Sequence, residues 1–491
     1  MKLKHLIISV FISFILLNLT QIKAEESISE TPELDNTKIT DQYNLIAPLK
    51  LSIIKTDNYY VDLEDVLNIA VENNINLQIK EEQEKIDKLD IYTQASELLP
   101  SVIGTYDQSR FQGGFQIFGN ETFMVHRSSI APRLALEYTI FSGGETVYKI
   151  LAAKRTHNAT IYSITNEKDQ LLLDASIAYY ELVKANKFLQ ISIEEIKESK
   201  ELLNLNLQRL EVGLGTKLEV SQSESQLAVS KNDYIEASKN ILVTTQNLNK
   251  ILNLPLEINL IPKTDKIEKI TLLETPNIKD LIEKALENRS DLKEIKELKK
   301  VYLAQRGVAL SKFFPTLTFS TYWGGMGPRF HDLNDQKSVG YGVKLDLLKN
   351  LGVNYISNYK KSGPMLKQVD LQIQQKLREI ETNLSNAILE AETTEKQIEV
   401  AKAGLKASED SYQFATERLE AGVGTNIDVL TAHTKLTTAR INLVKSLIDY
   451  NKSQIALLRS SGDISINQIT NKQDSKQNTE IIKPETNQET K

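Results

Sequence analysis

From Glu145 to Val212 the chain runs for 68 residues without a glycine or a proline. As continuous helix such a stretch would extend about 100 Å, far more than a compact globular domain needs. Prolines stand at 32, 48, 100, 132, 255, 262, 276, 315, 328, 364 and 484, which leaves proline-free runs from 133 to 254 and from 365 to 483. Within 145 to 254 the only glycines are Gly213 and Gly215, and within 365 to 461 they are Gly404, Gly422 and Gly424. Each run therefore reads as two long helices broken at one glycine pair.

The two runs are copies of each other. Arg209-Leu210-Glu211-Val212-Gly213-Leu214-Gly215-Thr216 returns as Arg418-Leu419-Glu420-Ala421-Gly422-Val423-Gly424-Thr425, offset by 209 residues. Upstream, Asp65 to Leu77 answers Asp280 to Leu292, and Pro100 answers Pro315, at an offset of 215. The offset changes between these landmarks, and a longer loop near 107–127 is the expected place for the difference. A period this long marks a duplicated unit rather than a solenoid. The predicted organisation is a first repeat over 59–254 with its tip at 213–216, a connector over 255–275, and a second repeat over 276–461 with its tip at 422–425.

Past each glycine pair, large residues recur every seven positions: Val220, Leu227, Tyr234, Ile241 and Leu248, then Val429, Leu436, Leu443, Tyr450 and Leu457. Three residues after each lies a mostly small companion, such as Ser223, Ser230 and Ala237, or Ala432, Ala439 and Ser446. Large-plus-small seams let helices approach closely along their length, which predicts extended coiled-coil packing.

Between the helices lie segments of period two. In Arg133 to Phe141 one face carries Leu134, Leu136, Tyr138 and Ile140, while the other carries Arg133, Ala135, Glu137 and Thr139. Val339 to Leu347 divides in the same way, with Val339, Tyr341, Val343, Leu345 and Leu347 opposite Gly340, Gly342, Lys344 and Asp346. Thr316 to Trp323 and, more weakly, Ser101 to Arg110 complete two predicted hairpins, about 101–141 and 316–347. Such strands suit either a sheet lying on a soluble core or a barrel wall between lipid and water. No other segment offers itself as a lid for the apolar faces, which favours the wall. Four strands cannot enclose a pore, and a sheet in lipid must close, so the wall requires several copies of the chain.

The ends and the composition narrow the function. Lys2, Lys4 and His5, the apolar run Leu6 to Leu17 and Ala24 read as a signal peptide over 1–24. Residues 25–58 and a polar tail over 462–491 are expected to be disordered. A hydrophobic content of 41% excludes disorder of the whole chain, and 59 basic against 65 acidic residues leave no basic field to recruit nucleic acid. Without cysteine there are no disulfides, thiolate metal sites or cysteine nucleophiles. The histidines, at 5, 126, 157, 331 and 433, fall at no metal-ligand spacing, with His126 and His331 expected in solvent-facing hairpin loops. No phosphate-binding loop, nucleophile elbow or zinc-protease motif is present. The expectation is a non-enzyme without cofactor or metal.

Leu99-Pro100 and Phe314-Pro315 leading into strands, Phe141-Ser142-Gly143-Gly144 leaving one, and the two Arg-Leu-Glu-x-Gly-x-Gly-Thr turns follow in a duplicated order that resembles the outer membrane efflux protein family, TolC type. The resemblance covers roughly residues 60 to 461. It implies a mainly α fold with a small antiparallel β part, and a homotrimer in which four strands per chain make a twelve-stranded outer-membrane barrel continued by a periplasmic α-helical barrel. It further implies that the glycine turns are periplasmic tips where hairpins of a periplasmic membrane fusion (adaptor) protein dock, with an inner-membrane RND or ABC transporter supplying cargo and outer membrane lipid surrounding the barrel. The residues that match the docking tips are Arg209, Leu210, Gly213, Gly215 and Thr216, with Arg418, Leu419, Gly422, Gly424 and Thr425. Members of this type carry two aspartates about one helical turn apart after the second tip, forming acidic rings at the pore constriction. Asp428 matches the first, Thr431 stands at the second, and Glu219 is the equivalent of Asp428 in the first repeat. Gly363-Pro364 has no counterpart in the first half, so a kink or a delayed start of the second long helix is expected, with Gly404 a further weak point. The alternatives are a soluble or surface coiled-coil spacer or adhesin, whose strand faces would have to be covered by protein, and an adaptor, which would not need two strand pairs.

Overall fold

The computed structural model describes residues 58–116, 122–255, 258–263, 267–273, 278–345 and 352–470. In chain order its elements are β1 (Asn58–Val61), α1 (Leu63–Asn73), α2 (Ile75–Ser96), β2 (Ser101–Gln116), β3 (Thr122–Ser142), α3 (Glu145–Glu211), α4 (Lys217–Leu252), β4 (Asn259–Pro262), α5 (Ile278–Asn288), α6 (Ser290–Ser311), β5 (Thr316–Met326), β6 (Asn334–Lys344), α7 (Val353–Glu420), α8 (Asn426–Ser461) and α9 (Ile466–Ile469). The duplication is plain in this order: a short helix, a second helix, a hairpin, a very long helix and a 36-residue helix occur twice. The signal peptide and most of the 25–58 segment lie outside the described residues, as do Leu347 and residues 471–491.

The chain divides into two compact units. One holds residues 85–158 and 297–370. Its sheet is antiparallel with strand order β2-β3-β5-β6, so the two hairpins are joined through β3 and β5. The register decides which side chains share a face. Val102, Leu136, Thr321 and Val339 form one cross-strand row, and Tyr138, Phe319 and Tyr341 another, with the Phe319 and Tyr341 rings 5.1 Å apart. The opposite face carries Ser101, Glu137, Ser320 and Gly340, and then Thr139, Thr318 and Gly342. Nothing among the described residues covers the apolar face: Val339, Tyr341 and Val343 are 68%, 76% and 74% exposed. The outer edges of β2 and β6 are unpaired among the described residues.

The helices of this unit follow the strand order, because each strand is next to one of them in the chain. Lys149 of α3 bonds Glu97 just past α2 at 2.9 Å, Arg155 of α3 meets Glu297 of α6 at 3.3 Å, and Lys299 of α6 meets Asp370 of α7 at 2.7 Å. Helices α2-α3-α6-α7 thus prolong β2-β3-β5-β6 as one layer. Pro100 and Pro315 stand at the two transitions. Each follows a pair of tight turns, Leu98 N to Ala95 O and Leu99 N to Ser96 O in the first repeat, and Phe313 N to Leu310 O and Phe314 N to Ser311 O in the second. Proline then supplies an extended entry to the strand while donating no hydrogen bond.

The other unit holds residues 50–84, 159–296 and 371–491 of the chain. Leu281, Ala285 and Leu292 pack with Ile380, Leu384 and Leu457 into one apolar cluster. The heptad seam is buried more fully in the second repeat, at Val429, Leu436, Tyr450 and Leu457, than in the first, where Val220 and Leu248 are buried but Tyr234 is exposed. The small companions serve as hydrogen-bonding spacers as well: Ser230 and Ser199 hydroxyls meet at 2.9 Å.

Several expectations need correction. The extra length of the first repeat lies in longer strands rather than in a loop at 107–127, since β2 and β3 have 16 and 21 residues where β5 and β6 have 11 each. His126 accordingly lies in β3, opposite Gln112, and only His331 is in a turn. Within the 255–275 connector, β4 pairs in parallel with β1, and residues 268–273 are stitched to α8 by Asn451 and Gln454, whose side chains bond the backbone of Glu268, Ile270, Leu272 and Leu273. The tail expected from 462 starts later, because α9 follows and buries Ile464 and Ile469. Helix α7 begins at Val353 and runs through Gly363-Pro364 to Glu420, so its start is not delayed; Pro364 forgoes one backbone bond there. Gly404 also lies within α7 and lines an open groove of about 720 Å³ between α7 and α8.

Candidate functional site

The two glycine turns have the same construction. At the end of α3, Gly213 takes φ +76°, and the amides of Leu214 and Gly215 both bond the carbonyl of Arg209 at 2.8 Å. At the end of α7, Gly422 takes φ +75°, and Val423 and Gly424 bond the carbonyl of Arg418 at 3.0 and 2.8 Å. The left-handed position is open to glycine without steric cost, and it turns the chain while satisfying carbonyls that end the helix. The second glycine of each pair is needed for a different reason. A Cβ on Gly424 would lie 2.9 Å from the backbone of Arg418 and Leu419, and one on Gly215 would lie 3.0 Å from Leu210 N.

Each turn ends in a capping box. Thr216 accepts from Glu219 N at 3.3 Å, and the Glu219 carboxylate accepts from Thr216 N at 2.7 Å. Thr425 and Asp428 repeat the arrangement, with Thr425 Oγ1 donating to Asp428 Oδ2 at 2.8 Å. The bonds from Thr425, aided by the nearby Arg418 charge, hold the Asp428 carboxyl below the usual carboxylate range. Asp428 and Glu219 therefore serve first as helix caps. Asp428 is nevertheless exposed, and Thr431 is exposed one turn further along α8.

The structure brings the two turns together through residues that sequence reasoning missed. Asn206 of α3 donates to Ser223 Oγ at 2.7 Å and to Asn426 Oδ1 at 2.8 Å, and Asn426 in turn donates to Glu219 O and Gln222 Oε1. Both amides are buried. Arg209 reaches the carbonyl of Leu419 across the pair, while Leu202, Leu419 and Val429 form the apolar floor. Asn206 and Asn426 have no counterparts at the repeat offset, where Ala415 and Lys217 stand. Of the two asparagines in the leucine-rich stretch Leu202 to Leu207, Asn204 is exposed and Asn206 buried, and no sequence signal separates them.

Further along the same helices lies a half-buried ionic cluster, also unforeseen, around the buried His433. His433 Nε2 lies 3.1 Å from Glu198 Oε2, and Arg440 Nη1 lies 3.0 Å from Glu198 Oε1. Burial alone would raise the Glu198 carboxyl, but the bonds to His433 and Arg440 outweigh it and bring it below its ordinary value. The tip itself is apolar and open: Val212, Leu214, Leu218, Val423 and Ile427 are all exposed there. Among the described residues no three metal-ligating side chains converge.

Comparison with known proteins decides the family. The model of the outer membrane efflux protein family matches residues 67–254 and 281–463, both repeats from the first short helix to beyond the end of the last long one. The chain belongs to the outer membrane efflux protein family. It is 22% identical over 407 residues to the probable efflux pump outer membrane protein TtgC of Pseudomonas putida, covering 82% of each. It is 20% identical over 453 residues to the outer membrane efflux protein BepC of Brucella suis, covering 91% of this chain and 92% of that one. Among solved structures, the CmeC outer membrane channel of Campylobacter jejuni superposes with a TM-score of 0.74 at 19% identity, over 82% of this chain and 85% of that one. The protein is therefore an outer membrane protein of the efflux class, with the fold of these channels.

Proposed function

We propose that this family member is a passive exit duct: a homotrimer whose twelve strands close a barrel in the outer membrane and whose long helices continue the passage through the periplasm. The observation that carries this is the apolar face of a four-stranded sheet, uncovered and with two unpaired edges among the described residues. In lipid the exposed face is matched to its solvent, and the edges are satisfied only by copies of the same sheet. The β5 and β6 strands, at 11 residues each, have the length that a tilted membrane strand needs. A soluble spacer or adhesin is not favoured, because it would leave that face in water.

The tips are the second part of the proposal. The exposed Val212, Leu214, Leu218, Val423 and Ile427 supply apolar anchors for the helical hairpins of a periplasmic adaptor, with Arg209, Leu210, Gly213, Gly215, Thr216, Arg418, Leu419, Gly422, Gly424 and Thr425 shaping the surface. Energy for transport comes from an inner-membrane RND or ABC transporter. Asp428, Glu219 and Thr431 belong to the constriction, where carboxylates brought together by threefold symmetry favour cations.

The test is single-channel recording of purified protein in a planar bilayer, with its native mass determined in parallel. Small cation-selective openings from a trimer are expected, and Asp428→Asn is expected to weaken the selectivity. A soluble, non-conducting particle would overturn the duct, and an unchanged reversal potential in Asp428→Asn would remove Asp428 from the constriction.

A further inference from the structure

We infer that a cationic cleft between α6 and α7, beside the helix-to-strand junction, binds the phosphodiester of a glycerophospholipid in the membrane leaflet facing the periplasm; the placement of that leaflet rests on the duct reading above. The cleft measures about 270 Å³, and its lining includes Tyr302, Arg306 and Lys312 from one side and Tyr355, Lys361 and Met365 from the other. That lies just under the roughly 300 Å³ at which drug-sized pockets begin, which suits a headgroup. Three of the side chains are cations and none of the lining residues is acidic.

The charges are not all spent within the protein. Lys312 bonds Glu145 at 2.5 Å, but among the described residues neither Arg306 nor Lys361 pairs with a carboxylate. Arg306 is held in place without being neutralised: its guanidinium lies 5.2 Å over the Tyr359 ring, and Nη2 donates to the Tyr359 hydroxyl at 2.9 Å. A guanidinium has five donors in a planar fork, and this bond uses one.

The surroundings distinguish a lipid from a soluble anion. Phe313, next in the chain after Lys312, sets its ring 6.2 Å from Tyr355 and 6.3 Å from Tyr359, and Phe313 and Phe314 are both exposed. Pro315 follows, and then β5 with Leu317 and Phe319 on the apolar face. From α6 into β5, cations give way to aromatic rings and the rings to hydrocarbon-matched strand, which is the order of a membrane interface read from water inward. Inorganic phosphate could use the charges alone. A phospholipid uses the charges for its phosphate oxygens and the exposed rings for the start of its acyl chains.

The test is native mass spectrometry of the purified full-length protein with phosphatidylglycerol added, and a second arm in which inorganic phosphate competes. Wild type is expected to retain lipid, the double variant Arg306→Gln, Lys361→Gln to lose affinity by about tenfold or more, and Lys361→Arg to keep it. Unchanged retention in the double variant, or no retention by wild type, would overturn the site. Displacement by inorganic phosphate at matching concentration would assign the cleft to a soluble phosphate and overturn the lipid. The same preparations are recorded in planar bilayers. Wild type that conducts while lipid retention ignores the substitutions refutes this cleft alone, whereas protein that neither inserts nor conducts refutes the duct reading beneath it.

Discussion

Replacing Asn206 with alanine should unfasten the two glycine turns from each other. The Asn206 amide makes two buried bonds, to Ser223 Oγ at 2.7 Å and to Asn426 Oδ1 at 2.8 Å. Each is worth about 0.5–1.5 kcal/mol net, and the stranded Asn426 acceptor adds about 1–3 kcal/mol unless water reaches it. Ser223 keeps its own bond to Glu219 O at 3.0 Å and adds no stranded donor. The loss is therefore about 2–6 kcal/mol, confined to the tip, which multiplies the local opening constant by roughly 30- to 20,000-fold. Hydrogen exchange at the amides of Leu214, Gly215, Val423 and Gly424 reads that constant directly, because these amides close the turns. Asn204→Ala, at an exposed position two residues away, should leave the rates alone. Tip exchange in Asn206→Ala within about threefold of wild type would mean that the amide pair does not hold the turns together.

Three other outcomes follow from the geometry. Val339→Lys, at the middle of β6 on the apolar face, should cost roughly 2–4 kcal/mol at mid-membrane and deplete assembled protein from the membrane fraction, while Ser320→Lys on the opposite face should be tolerated; the reverse pattern would invert the facing of the sheet. Gly422→Ala should cost about 1 kcal/mol from its left-handed backbone alone, and Gly424→Ala more, because its Cβ meets backbone at 2.9 Å; equal losses of melting temperature would refute the distinction. The Glu198 carboxyl is held low by His433 and Arg440, so its contribution stands in full above its unfolded value of about 4.3 and disappears as pH falls through the folded one. The melting temperature of Glu198→Gln should accordingly lie below wild type at neutral pH and converge with it in acid, and parallel curves would count against the cluster.

What could be read from the sequence was what is encoded locally. Gly213, Gly215, Gly422 and Gly424 mark the turns because the backbone there needs a missing Cβ, and prolines mark the strand entries for an equally local reason. The alternation of Leu134, Leu136 and Tyr138 identified an apolar face, and the register confirmed it by pairing Leu134 with Trp323 and Tyr138 with Phe319. What was missed depends on partners far along the chain. Asn58–Val61 is a strand only because Asn259–Pro262 lies beside it, some 200 residues on. Asn451 and Gln454 look like solvated residues of a helix until the connector backbone is laid across them. His433 carries no spacing signal, since its partner Glu198 lies on another helix. In the first hairpin, Gly113-Gly114 and the loss of clean alternation beyond Arg110 concealed strands that continue past them.

The edges of β2 and β6, unpaired among the described residues, bear on how such a protein can be made. A chain whose sheet ends in open hydrogen-bonding groups on both sides cannot complete its own fold in a bilayer, because each stranded amide there costs several kcal/mol. If the sheet closes with copies of itself as proposed, the last folding step is a meeting between chains. Maturation becomes a matter of how many copies are present at once, and a chain made alone has to wait in the aqueous compartment with its greasy face shielded. Overproduction would hasten the finished assembly, whereas scarcity would leave the lone chain to proteases before it ever reached lipid.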